Sequence, residues 1–164
     1  MEHRNNDGTS AVSKSDADLT DADYQALAAF RYQIRRFLHF SQQAARAEGL
    51  EPQQHQMMLA IHVLDSTDGP TMGKLAEYLL IRHHSAVELV DRLAKRRLVE
   101  RVRGQGDRRQ VRVRLTAEGQ DKLKWLSSVH RAELCTSGPL LVEALTMLLG
   151  PRSAQEEDVF EGQE

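Results

Sequence analysis

The sequence of 164 residues has one cysteine, Cys135, so no internal disulfide can form and any zinc site would need other ligands. Aromatic residues make up only 5% and there are four prolines, which leaves the core to Leu, Val, Ala and Ile, a mix that suits helices. No apolar run approaches the roughly 20 residues that span a membrane. Residues 1–19 are polar and lack the apolar stretch of a secretory leader. Together these absences point to a cytoplasmic, reducing location and to no membrane partner. Catalytic arrangements are missing as well: there is no nucleophile–base pair, no phosphate-cradling glycine loop and no cluster of carboxylates, so the chain does not read as an enzyme and implies no cofactor.

Charge is present but unevenly placed. The net charge is −2, yet Arg82 to Arg114 carry eleven Lys and Arg against four Asp and Glu, a local +7. Residues 1–81 balance at −4 and residues 115–164 at −5. A basic middle between acidic flanks is the electrostatic footprint of a surface that meets phosphate.

Hydrophobic periodicity divides the chain into five stretches. Residues 1–19 and 150–164 read as disordered tails, the second of them acidic. In residues 20–49, Leu27, Phe30, Ile34, Phe37, Leu38 and Ser41 recur at three- and four-residue steps, the stripe of a long amphipathic helix capped by Thr20 or Asp21. Residues 50–116 then carry a helix with Met57, Met58, Ile61 and Leu64, a turn at 66–70, and a short helix capped by Thr71. Three residues later comes a basic helix with Ala86, Val87, Val90, Leu93 and Ala94 on one face. Two helices joined by a tight turn, the second longer and more basic, have helix-turn-helix spacing.

Directly after the basic helix, Leu98 to Arg103 and Val111 to Leu115 read as two strands around a glycine-containing turn, with Val111, Val113 and Leu115 alternating with Arg112 and Arg114. Such a hairpin is a wing. In residues 117–149, Thr116 caps a helix striped by Leu123, Leu126, Val129 and Leu134; Gly138-Pro139 is expected to break it, and Leu140 to Leu149 to form a separate sixth helix. Cys135 reads as a buried, inert thiol. The fold class that follows is mainly α: a winged helix-turn-helix with a two-stranded β wing and flanking dimerisation helices at 20–49 and 117–149.

Three pieces of sequence resemble the multiple antibiotic resistance regulator (MarR) family: Leu75-Ala76-Glu77; Leu89-Val90-Asp91-Arg92-Leu93 followed by Leu98-Val99-Glu100-Arg101; and Asp107-Arg108-Arg109 running into Leu115-Thr116-Ala117-Glu118-Gly119. The resemblance implies a homodimer whose first and last helices intertwine, with a recognition helix in the major groove and a wing along the minor groove. It also implies repression of nearby genes and release of DNA when a small-molecule effector or an oxidant arrives. Two positions depart from the pattern. Glu88 stands where an Arg or another polar base-reader is common. Arg97 stands where glycine commonly reverses the chain; a left-handed residue without glycine costs about 1 kcal/mol, which predicts a different turn there.

Site residues follow from the helical wheel and the hairpin. On the recognition helix, His83, His84, Ser85, Glu88 and Arg92 lie opposite the buried stripe and are candidates for contact with double-stranded DNA. On the wing, Arg109 is the candidate for minor-groove insertion, Asp107 for orienting it, and Arg108 and Arg112 for phosphate. The resemblance, which implies a pocket between the dimer helices and the winged helix, makes His39 and His55 candidates for lining an effector pocket. His62 and His130, like His39 and His55, are dispersed and form no metal-ligating pattern, so no metal is assigned. A different class of protein, a helical protein–protein adaptor that retains a winged helix, fits the same pattern of helices but leaves the +7 segment without a purpose.

Overall fold

In the computed structural model, residues 19–65, 69–103 and 110–150 are described. The elements run α1 (Asp21–Ala47), α2 (Pro52–Val63), α3 (Met72–Tyr78), α4 (His83–Lys95), β1 (Val99–Arg103), β2 (Val111–Leu115) and α5 (Ala117–Leu149). The fold is thus mainly helical with one two-stranded antiparallel sheet, in which Val99 pairs with Leu115 and Arg103 with Val111. The terminal stretches expected to be tails, and the hairpin turn holding Asp107, Arg108 and Arg109, lie outside the described residues.

Helix starts follow their local chemistry. Thr20 accepts from the Asp23 amide, and Asp23 Oδ2 accepts from the Thr20 amide at 2.8 Å, closing a capping box that holds the Asp23 carboxyl below its ordinary pKa. Pro52 stands at the first position of α2, where its missing N–H is no loss. Thr71 caps α3 and Thr116 caps α5 through their side-chain oxygens.

Three helices end by the same left-handed stop, in which the chain reverses through a residue with positive φ. At α1 this residue is Gly49 (φ 70°), at α3 Leu80 (φ 53°) and at α4 Arg97 (φ 58°). At α4 the Leu98 amide donates to the Leu93 carbonyl at 3.1 Å and the Arg97 amide to the Ala94 carbonyl at 2.9 Å. Arg97 therefore takes the glycine-type turn itself, contrary to the expectation of a different one. What holds it there is Thr116, which bonds two successive carbonyls: its Oγ1 donates to Arg97 O at 2.6 Å and its amide to Leu98 O at 3.1 Å.

The same junction explains Leu-Thr-x-x-Gly. Thr116 ties the helix start to the α4–β1 turn, and Gly119 rests directly on the Leu98 backbone, where any Cβ would collide with the Leu98 carbonyl. Around it Met57, Met58, Ile61, Leu75, Val90, Leu93, Leu98, Val113 and Leu126 are fully buried and form one core. At its edge, two cations meet the C-terminal end of α1. Arg96 donates to the Gly49 carbonyl, and Lys122 Nζ bonds Glu48 Oε2 at 2.8 Å.

The sequence-based break at Gly138-Pro139 does not occur: α5 is one helix of 33 residues with Pro139 inside it. Proline's φ is already helical, so the loss is one N–H bond and crowding against the preceding turn. Offsetting that loss, α5 continues along α1, its most extensive partner, with Ala26 and Ala144 both buried. Joining the two expected helices also creates a stretch long and apolar enough to cross a membrane by length and composition alone, of which 6% is buried. Cys135 is exposed, not buried, because it lies with Ser128, Arg131 and Ala132 on an open face of α5.

Candidate nucleic-acid interface

The recognition helix is positioned from below by its apolar face. Ala86, Leu89, Val90 and Leu93 are buried, which turns His83, His84, Glu88 and Arg92 to solvent and leaves Ser85 half-buried. Arg82 occupies the N-cap without a side-chain cap bond, so the first amides of α4 remain available to an acceptor from outside. Glu88 and Arg92 face each other across one helical turn at 3.7 Å, an exposed pair of small energetic weight.

The wing is fastened to this helix. Arg101 on β1 bonds Asp91 on α4 at 2.7 Å, fixing the angle between hairpin and recognition helix. On the other edge, Val113 N donates to the Pro70 carbonyl at 3.0 Å, and Thr71 bridges to Arg112. Gly69 makes this approach possible: a Cβ there would stand 2.6 Å from the Val113 carbonyl oxygen.

Arg112 was expected to project outward to phosphate, alternating with the valines. It is half-buried instead, donating from Nη1 to the Gly69 carbonyl at 2.8 Å and from Nη2 to Gln110. The period-two pattern places its Cβ correctly, but the extra strand-like segment at 69–71, invisible to that pattern, captures the guanidinium. Arg101 and Arg103 remain on the exposed face of β1. Between the starts of α3 and α4 and the base of the wing lies a groove of about 380 Å³ lined by Thr71, Met72, Gly73, His83, Gln110 and Val111.

His39 and His55 are not brought together. His39 lies on the exposed side of α1 and bonds Gln43 at 3.1 Å. His55 on α2 is buried and stacks on His130 of α5, with ring centroids 4.7 Å apart. Burial, and secondarily the nearby His130, push the His55 pKa down to about 4. A cavity of about 600 Å³ between α2 and α5 is lined by other residues: His62, Asp65, Gln120, Leu123, Lys124 and Ser127. The sequence-based reading missed the His55–His130 pair because the two residues are distant in sequence; the available signal was that His130 continues the Leu123, Leu126 stripe. Among the described residues no group of three or more His, Cys, Asp or Glu could hold a metal ion.

A helix-turn-helix whose second helix is exposed along one side and braced by an antiparallel hairpin is a winged helix-turn-helix. Residues 48–110 match the model of the MarR family. No curated protein matches the chain. Among solved structures the chain is similar to AbsC, a MarR family transcriptional regulator from Streptomyces coelicolor, at 20% identity over 81% of this chain and 93% of that one, with a TM-score of 0.65. It is similar also to a mutant of MepR from Staphylococcus aureus bound to an oligodeoxyribonucleotide, at 19% identity over 77% and 95% of the two chains, with a TM-score of 0.60. A MarR family protein from Bacillus stearothermophilus matches at 23% identity over 70% and 76%, with a TM-score of 0.59.

Proposed function

We propose that the protein is a cytoplasmic transcriptional regulator that binds double-stranded DNA in a sequence-specific manner as a homodimer, and that it acts as an effector-responsive repressor. The observation that carries the DNA reading is the exposed, uncapped start of α4 beside a braced wing, within the segment that holds the chain's +7 excess. A helix presented this way enters the major groove with His83, His84, Ser85, Glu88 and Arg92 toward base edges and phosphates. Arg109, with Asp107 orienting it and Arg108 beside it, serves the minor groove. Arg112 acts indirectly, holding the wing to residues 69–71. The oligonucleotide in the MepR complex is in keeping with this reading.

The homodimer reading rests on the exposed apolar residues of α1 and α5: Tyr24, Leu27, Leu140, Leu145 and Leu149 all stand open to solvent. This face, and not a bilayer, accounts for the hydropathy of the C-terminal half of α5, whose N-terminal half contributes Leu123 and Leu126 to the winged-helix core. The domain assignment is accordingly 20–49 and 117–149 for dimerisation and 50–116 for DNA. An effector is placed at the junction of these parts, in the α2–α5 cavity.

The test is fluorescence anisotropy of the purified protein on DNA flanking its own coding sequence, across a salt series. Tight binding that resists competitor DNA, falls steeply with salt and is lost in Arg109→Ala supports the reading. Weak binding to every sequence, unaffected by Arg109→Ala, contradicts it.

A further inference from the structure

The His55–His130 stack joins the two parts of the molecule: His55 belongs to α2 of the winged helix, His130 to α5, and α1 closes over the pair with Phe37 and Phe40, each ring centroid 6.1 Å from that of His130. Both histidines are more than nine-tenths buried. Both nitrogens of His55 and Nε2 of His130 are buried without a hydrogen-bond partner. Burial among apolar groups favours the neutral rings, because a charge placed there is desolvated, and no described carboxylate pairs with either ring.

The charged and titratable surroundings offer no relief. From α1 the facing groups are the two phenyl rings, while His39 lies exposed and bonded to Gln43. On α2, Glu51 is exposed and engaged at the helix start with Gln54. On α5, Arg131 is exposed and Glu133 half-buried. His130 adds a second, smaller push on His55 toward the neutral form. The stacked rings also hold their lone pairs in nearly parallel planes, 28° apart, so they do not converge on a shared metal ion.

We propose that the His55–His130 stack is an acid-sensitive latch: protonation of His55 breaks the seat of α2 on α5 and α1 and so frees the winged helix from the arm that sets its position. The consequence for DNA rests on the regulator reading above; the consequence for stability does not. Acidification should loosen the α2–α5 junction, and DNA affinity should fall because the two winged helices of a dimer lose their fixed spacing.

The deciding experiment combines two readouts on the full chain. Imidazole proton resonances of the wild-type protein are followed by NMR from about pH 7.5 to 4.5, and melting temperature without DNA is measured over the same range for wild type, His55→Phe and His130→Gln. The latch predicts that the His55 signal does not titrate until well below the ordinary histidine range, and that the acid-induced drop in melting temperature is mostly absent in a variant. DNA affinity should hold in wild type down to about pH 5.5 and then fall more steeply than in His55→Phe as the pH is taken toward about 4.5. An ordinary titration of His55, or an unchanged acid response in a folded variant, overturns the latch. Should neither variant fold, the wild-type titration alone decides. Absence of DNA binding at neutral pH would instead overturn the regulator reading and leave the melting and NMR results to judge the latch.

Discussion

The winged-helix unit and the helical arm are built from similar residues but finish their packing differently. In the unit, Met57, Ile61, Leu75, Val90 and Leu93 are fully buried and the helix ends are tied off by Thr71, Thr116 and Gly119. In the arm formed by α1 and the C-terminal half of α5, leucines at 27, 38, 140, 145 and 149 stand exposed, and the fully buried positions are few. The first region completes its core within one chain; the second is amphipathic in sequence and unpartnered in a single copy. Soluble monomers rarely leave large apolar patches open, and this contrast is what the proposed homodimer rests on.

The largest expected effect falls on the completed region. Leu93→Ala should cost about 2–5 kcal/mol by opening a cavity where nothing is free to collapse, measurable as a lowered denaturant midpoint. In the arm, Leu145→Glu should leave the folded core nearly intact while shifting the oligomer toward monomer, so that sedimentation changes more than the far-UV spectrum does. If that substitution unfolds the protein as fully as Leu93→Ala, the distinction between the two regions fails.

At the seam between them, His55 carries a pH signature. Its folded pKa lies near 4 against 6.5 for the free side chain. Above the free value the residue is neutral in both states and costs nothing. As pH falls through that value toward 4 the unfolded chain binds a proton that the folded one refuses, and stability declines. Below 4 the loss levels off, at no more than about 3 kcal/mol. Urea unfolding in acidic and neutral buffers, with His55→Phe as the non-titrating control, measures it.

Thr116→Ala removes both the α5 cap and the hydroxyl bond to the Arg97 carbonyl, and should cost about 1–2 kcal/mol by urea unfolding. The smallest effect has the opposite sign. Leu80 and Arg97 are in left-handed backbone, and Leu80 is 92% exposed, so Leu80→Gly relieves strain without leaving a hole. A gain approaching 1 kcal/mol is expected, measured as a higher melting temperature.

The winged-helix unit was legible in the sequence because its signals are local: caps at Thr71 and Thr116, a tight turn, and alternation through Val113 and Leu115. The candidate interface was partly legible for the same reason, since the wheel of α4 places His83, His84, Glu88 and Arg92 outside. Three features depended on contacts between segments distant in sequence. Arg112 turns to Gly69 because residues 69–71 lie beside β2. Arg97 accepts a left-handed conformation because Thr116 secures its carbonyl. Pro139 stays inside a helix because α1 supports α5 along its length. The His55–His130 pair belongs with these; neither histidine is unusual alone, and only the crossing of α2 and α5 stacks them.

Sedimentation equilibrium of the protein with a labelled duplex that it binds specifically tests the contrast between the two regions most directly. A completed winged helix carried on an unpartnered arm predicts two chains of 18.6 kDa on each duplex, and a dimer of twice that mass without DNA. A single chain on the duplex, with a monomer in free solution at micromolar concentration, would contradict it.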